Sequence, residues 1–267
     1  MVVGAEQVDC AMGHLAIKNL SKVYGDAGTT GNVVALRDVS FEVPNHQFCA
    51  ILGHSGCGKT TLLNIAAGFE PPTTGSIAVD DVPIRVPGWQ NTMIFQDYAL
   101  FPWMDVSQNV GFGLEMKGLP SHKRQDITRH YVDLVGLAGF EDKFPHQLSG
   151  GMRQRVAIAR ALAVQPHLLL MDEPFAALDA QNRSFMQDEL VRIWEREPKT
   201  VVLVTHSIDE AIKLSDCIAV MTRRPGHVKQ FINVDLPRPR DEDDKSYLQL
   251  KRHLRALIHE EVEVQRR

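Results

Sequence analysis

Apolar residues run along this chain in two rhythms. HLAIKNL at residues 14–20 and VSFEV at 39–43 alternate apolar with polar side chains, the pattern of half-buried strands, and predict an antiparallel β lobe over residues 14–50. Short continuous apolar runs follow: FCAIL (48–52), NTMIF (91–95), HLLLMDEP (167–174) and VVLVT (201–205) suit strands covered on both faces. Between them lie helical spacings, among them TLLNIAAG from Thr61 and MRQRVAIARALAVQ from Met152, which stops before Pro166. Strand alternating with helix over 51–96 and 151–222 predicts a parallel-sheet core of an α/β fold. Residues 97–150 differ in character. NVGFGLEMKG and QDITRHYVDLVGLAG are helical patterns broken by glycines and Pro120, and they predict a helical lobe inserted between two core strands. One domain is therefore expected over 1–222. Beyond it, residues 223–267 are expected to form a short C-terminal linker, with PRPRDEDDK solvated, and a terminal helix from Tyr247.

The most informative chemistry follows FCAIL. GHSGCGKTT (53–61) satisfies G-x-x-x-x-G-K-[ST] with Gly53, Gly58, Lys59 and Thr60, and adds Gly56 within the loop. A strand, a glycine loop and a helix are what phosphate binding requires. The glycines let His54, Ser55, Gly56, Cys57 and Gly58 turn backbone N–H groups inward, and a helix beginning near Lys59 aims the positive end of its dipole at the anion. Lys59 adds a mobile charge for the β and γ phosphates of ATP, and the Thr60 hydroxyl, with Thr61 beside it, suits Mg²⁺. Cys57 reads either as a reactive thiol or as a small residue that fits. Phosphoryl transfer to water needs positioning and charge, which favours the second.

HLLLMDEP ends in Asp172 and Glu173, and strand alternation is expected to send these carboxylates in opposite directions, hence to different tasks. Gln96 stands after NTMIF and His206 after VVLVT, each a polar residue at a strand end. LSGGMRQR (148–155) places Ser149, Gly150 and Gly151 as a cap before a long helix, a second anion site built from the same parts as the first; the other reading is an ordinary capped helix.

The order of these strings, followed by LDA at Leu178, resembles the ATP-binding subunit of ABC transporters. The resemblance implies a P-loop NTPase (ABC ATPase) core with an antiparallel β lobe and an inserted α-helical lobe, residues 51–96 and 151–222 being the RecA-like part. It implies that Asp172 supports Mg²⁺, that Glu173 polarises the attacking water as general base, and that Gln96 and His206 reach the metal or water and the γ phosphate. Ser149, Gly150 and Gly151 would grip ATP held by a partner subunit, identical or homologous, in a head-to-tail dimer with Asp179 at the interface. Tyr24 in SKVYG would be the adenine platform; a core tyrosine is the other reading. The polar stretch GDAGTTGN (25–32) makes the gap from Tyr24 to the phosphate loop long for the family.

Composition narrows the rest. At 267 residues, 44% hydrophobic and 23% charged, the chain can bury a core. No run approaches 18 consecutive apolar residues, and the N-terminus shows no signal-peptide pattern. Cysteines at 10, 49, 57 and 217 make no C-x-x-C pair, and the 11 histidines are scattered, with a side-chain role expected for His206 alone. A net charge of −4 and the want of a basic stripe argue against a nucleic-acid partner. YALFPWMDVSQNVGFGLEMKG (98–118), MDEPFAALDA, MTRRPGHVKQ (221–230) and VDLPRPR look like the corresponding stretches of bacterial importers of the nitrate, sulfonate and taurine group. That likeness implies a peripheral subunit on the cytoplasmic face of the inner membrane. Transmembrane permease subunits would dock at a groove lined by Phe101, Pro102, Trp103 and Met104, with a solute-binding protein acting indirectly. Those four residues as plain lobe core, and an export-type or non-transport ATPase, are the alternatives.

Overall fold

A computed structural model describes residues 13–25, 31–176 and 178–263. Two sheets divide the chain. The first is antiparallel, in the order β2-β1-β4-β5, from β1 (Leu15–Tyr24), β2 (Val33–Val43), β4 (Thr74–Val79) and β5 (Val82–Pro83). The second has the order β10-β9-β3-β8-β7-β6 and contains β3 (Phe48–Leu52), β6 (Asn91–Ile94), β7 (Leu168–Asp172), β8 (Thr200–Thr205), β9 (Cys217–Met221) and β10 (Val228–Asn233). Its strands are parallel except β10, which pairs antiparallel with β9.

The structure departs from expectation in two places. The antiparallel lobe is not confined to residues 14–50: it takes β4 and β5 from the 51–96 stretch, while Phe48 and Cys49 already belong to the parallel sheet. The core also runs past residue 222, because β10 extends the second sheet inside the stretch expected to be a linker.

The apolar runs explain the layering. In β3, Cys49 and Ile51 pack with α1 (Lys59–Ala66) and the antiparallel sheet, whereas Ala50 and Leu52 face Ala211 and Ile212 of α6 (Ile208–Leu214) and Tyr247 and Leu254 of α7 (Lys245–Glu263). Likewise Leu168 and Leu170 of β7 face the α1 side, and Leu169 and Met171 face α4 (Gly150–Ala163) and α5 (Ala180–Arg196). Each fully buried large side chain contributes about 1.5–3 kcal/mol of transfer free energy, so the double-sided sheet is the main source of cohesion. The helical lobe is α2 (Val106–Met116) and α3 (Ser121–Leu134), packed with each other and with α4.

Of the run expected to be solvated, residues 241–245 are exposed, but residues 237–240 are held. Arg238 Nη1 reaches Asp216 Oδ1 at 2.5 Å and Nη2 donates to Leu214 O at 2.6 Å. Arg240 donates to the carbonyls of Ile212 and Ser215, and burial pulls its guanidinium down to about 10. These arginines fasten the 237–240 stretch to the α6–β9 connection, and α7 then folds back over the core.

Candidate nucleotide site

Parallel strands place their carboxyl ends on one edge, where α/β sheets bind ligands. Because β3, β8, β7 and β6 are neighbours, the segments that follow them line up as the phosphate loop, His206, Asp172 with Glu173, and Gln96. Positions scattered along the chain from Gly53 to His206 thus meet through sheet order alone.

In the phosphate loop, Gly58 caps α1 at φ 102°; a Cβ there would lie 2.9 Å from Ala35 O and 2.7 Å from Leu36 Cδ2, so glycine is required. Among the described residues no side chain caps α1 and no acid stands in its first turn, leaving those N–H groups to an anion. Lys59 is 5% exposed and its Nζ donates to Gly53 O at 2.8 Å and His54 O at 3.0 Å, which lays the charge along the loop. Ser55 and Gly56 form the exposed apex. His54 Nε2 lies 3.3 Å from Ile258 O on α7. Cys57 is buried, and burial pushes its thiol up, which agrees with a packed small residue and not with a nucleophile.

Asp172 closes β7. Burial raises its carboxyl above the ordinary value against a hydrogen bond from Thr60 and the charge of Lys59. Thr60 and Asp172 are therefore adjacent hard-oxygen groups at the loop, and Gln96 is an exposed amide two residues beyond β6 on the same edge. Glu173 diverges from Asp172, though not by strand alternation: β7 has ended, and Glu173 sits at φ 43°, in the left-handed region. Such a conformation costs a non-glycine residue about 1–3 kcal/mol, and Glu173 shares it with eight other non-glycine residues among those described. Its N–H donates to Val204 O at 3.0 Å, and its Oε2 lies 3.0 Å from His206 Nδ1. Behind this pair is an acid that no sequence motif singles out. Glu210, 7% exposed and pushed up by burial, accepts from Thr205 Oγ1 at 2.6 Å, while Thr205 Oγ1 accepts from Ser207 N at 3.0 Å. A glutamate three residues after the N-cap Ser207, in the first turn of α6, is the signal the sequence carries for it.

The burial of Asp172 has a testable consequence. Its folded pKa is raised, so the native state holds its proton to higher pH than the unfolded chain does. The ion therefore costs stability above the folded pKa, and the cost vanishes as pH falls toward about 4, the unfolded value. Asp172→Asn is expected to raise Tm at pH 7, with the gain shrinking toward about pH 4, while Mg²⁺-dependent hydrolysis is lost. Melting curves across pH, beside activity assays, check both; a lower Tm at pH 7 would contradict the burial argument.

Tyr24 ends β1. Its hydroxyl donates to Glu70 Oε2 at 2.7 Å and stands 3.4 Å from Thr61 Oγ1, and its side chain is 39% exposed. It is thus at the rim of the phosphate loop and not in the core. Ser149 and Asp179 cap different helices and make a second patch. Ser149 Oγ accepts from Met152 N at 3.3 Å, and Asp179 accepts from Asn182 N at 3.0 Å and Asn182 Nδ2 at 2.6 Å, bonds that keep the Asp179 carboxyl low. A Cβ on Gly150 would meet Leu178 at 3.7 Å and one on Gly151 would meet Met186 of α5 at 3.4 Å, so Leu178 of the LDA segment and α5 lie directly beneath the LSGGMRQR string, the signature of this patch.

Phe101 to Met104 border two neighbouring grooves. One of about 770 Å³ runs past Trp89, Met93, Phe95, Phe101, Met116 and Arg160; the other, about 700 Å³, is walled by Trp103, Met104 and Phe112. Trp103 is 69% exposed, Pro102 is exposed, and Phe101 and Met104 are half-buried, so the four are not simply lobe core. Asn109 holds them. Fully buried, it accepts from Phe101 N at 2.9 Å and donates to Met104 O and Asp105 O, both at 2.9 Å. Arg160 of α4 donates to the carbonyls of Tyr98 and Ala99 at 2.8 and 2.7 Å, tying the signature helix to the segment after Gln96.

Residues 36–176 match the family model described as "ABC transporter". The chain belongs to the ABC transporter ATP-binding family. It is 48% identical over 248 residues to an uncharacterized ABC transporter ATP-binding protein of Methanocaldococcus jannaschii, covering 93% of this chain and 92% of that one. It is 42% identical over 239 residues to a nitrate import ATP-binding protein of Synechocystis, covering 90% and 89%. Among solved structures it resembles a dimeric ATP-binding cassette in a post-hydrolysis state bound to ADP and phosphate, with TM-score 0.69 and 30% identity over 82% of this chain and 98% of that one. The resemblance to the nitrate group read from the sequence agrees with these relatives, and the chain is an ATPase subunit of this family. Among the described residues no helix is long and apolar enough to cross a membrane.

Proposed function

We propose that this ABC subunit binds and hydrolyses ATP to energise a bacterial importer of a small solute, an anion of the nitrate, sulfonate, taurine or bicarbonate kind. The observation that carries the reading is the Glu173–His206 contact at 3.0 Å, held at the carboxyl ends of β7 and β8 beside the phosphate loop. Residues 53–61 cradle the phosphates, Lys59 swings its charge to them, and Tyr24 stacks on the adenine. Glu173 takes the proton of the attacking water, and His206 orients that carboxylate and bonds the γ phosphate. Thr60 and Asp172, with the Gln96 amide, suit a hard cation that keeps most of its ligands from water and phosphate. Mg²⁺ bound there would neutralise charge on the phosphates. Glu210 backs the arrangement through Thr205.

Ser149, Gly150 and Gly151 complete the site of a second subunit, with Asp179 at the contact, so that ATP joins the two and hydrolysis releases them. The difference in ATP affinity between open and closed dimers is the free energy available for transport. At the cytoplasmic face of the inner membrane, permease subunits dock on the grooves beside Phe101 to Met104, and a solute-binding protein acts through them.

The test is recovery of the partners. The full chain is expected to co-purify with a multi-span permease and to gain ATPase activity when the cognate binding protein carries solute. Trp103→Ala should keep the basal rate and lose most of that stimulation. A permease partner without any binding protein would favour export, and unchanged stimulation in the variant would move the docking site away from Trp103.

A further inference from the structure

The stretch MTRRPGHVKQ links β9 to β10 and takes no part in the chemistry of Lys59, Glu173 or His206. β9 lies next to β3 in parallel register, Leu52 opposite Val220, so the loop at 222–227 emerges at the ligand-binding edge beside the phosphate loop. That loop is rigidly closed. Thr222 N donates to His227 O at 3.0 Å, and Thr222 Oγ1 donates to Pro225 O at 3.2 Å while accepting from His227 N at 3.0 Å. It is also spliced to β2, since Gly226 N donates to Ala35 O and Arg37 N to Gly226 O, both at 2.9 Å. Its backbone presses on the phosphate loop itself: a Cβ on Gly226 would stand 2.0 Å from Cys57 O, a separation only glycine permits. Two residues earlier, the exposed side chain of Arg224 walls a cleft of about 550 Å³ together with the half-buried Arg223 and with His54, Ser55, Gly56 and Cys57. The same guanidinium charge is felt on two sides of the site, drawing down both the Tyr24 phenol and the Cys57 thiol against the larger upward push of burial.

We propose that Arg224 is a further nucleotide ligand, set by the rigid β9–β10 loop between the base platform and the phosphate loop, and that it binds the phosphate nearest the base. The inference rests on the ATP reading above. A guanidinium is the donor best matched to phosphate oxygens, and a loop already fixed to β2 and to the phosphate loop loses little freedom on engaging one. Arg224 also offers a reason for the Thr222, Gly226 and His227 contacts, which otherwise order an exposed turn to no purpose.

Displacement of a fluorescent ATP analogue from the full-length chain by ATP, ADP, AMP and adenosine tests this. Arg224→Ala is expected to weaken ATP, ADP and AMP by a common factor of about tenfold and to leave adenosine unchanged, with a flatter dependence of Kd on salt. Arg224→Lys should recover part of the loss, and Arg224→Glu should deepen it; both are exposed substitutions whose melting curves report folding independently. Equal affinities for wild type and Arg224→Ala would overturn the proposal. So would a loss for ATP much larger than for AMP, which would assign the charge to the distal phosphates. If the wild type bound no ATP while Lys59→Ala behaved identically, the ATP reading itself would fall and this inference with it.

Discussion

Glu173→Gln is expected to slow ATP hydrolysis by about 10²- to 10⁴-fold while leaving ATP affinity near that of the wild type. The substitution keeps the shape of the side chain and removes its capacity to take a proton. The backbone is fixed independently of the carboxylate, since the Glu173 N–H donates to Val204 O and the chain turns through φ 43° whatever oxygen or nitrogen terminates the side chain. In the proposed site, binding rests on other groups: the loop N–H donors, Lys59, and the adjacent Thr60 and Asp172. The variant should therefore separate affinity from turnover. Equilibrium binding and single-turnover kinetics measure the two, and near-normal turnover would take Glu173 out of the general-base role. A large loss of Mg²⁺-dependent ATP affinity would instead assign Glu173 to the metal, a task better suited to the Thr60 and Asp172 pair.

How much of this is legible in the sequence depends on whether chemistry or packing chooses the residues. Gly58 can be read because phosphate binding demands a backbone only glycine adopts, and Asp172 because burying an apolar strand gives no reason to end it in an acid. The strands β4 and β10 escape detection for a physical reason. Thr74, Gly75 and Ser76 are all exposed, which leaves only Ile77 and Val79 to mark β4, too short an alternation to stand out, and β10 is an edge strand with no buried position. Their pairing with distant β1 and with β9 is decided by the sheet. Arg238 and Arg240 mislead in the opposite direction: in sequence they sit in a charged, proline-bearing run, and only the fold brings the carbonyls of Ile212, Leu214 and Ser215 within their reach. Glu173 does diverge from Asp172 as expected, but strand pleating stops one residue too early to be the cause. Tyr24 illustrates the remaining limit. Its approach to Thr61 spans 37 residues, and nothing local in SKVYG distinguishes a rim tyrosine from a core one.

Ser149→Arg provides the second large effect and decides whether the signature acts on its own subunit's nucleotide or on a partner's. The contacts described for Ser149, Gly150 and Gly151 go to Met152, Leu178 and Met186, within a patch that shares Asp179 and not the phosphate loop. If that patch works in trans, an isolated subunit carrying Ser149→Arg should bind ATP as the wild type does, because its own loop is untouched. In the Glu173→Gln background, where ATP-bound dimers are expected to persist, the added arginine should abolish ATP-dependent dimerisation: it removes the hydroxyl that caps α4 and fills with bulk the helix N-terminus that must receive the partner's phosphate. Hydrolysis by the single variant should fall by about two orders of magnitude, since turnover requires the assembled site. The wild-type rate per subunit should rise with protein concentration and the variant's should not. Sedimentation and nucleotide titration on the same samples separate the possibilities. A signature that served its own subunit would give the opposite pattern, with ATP affinity reduced in the monomer and turnover independent of concentration, and the second patch would then have to be reassigned as the ordinary capped helix its hydrogen bonds also describe.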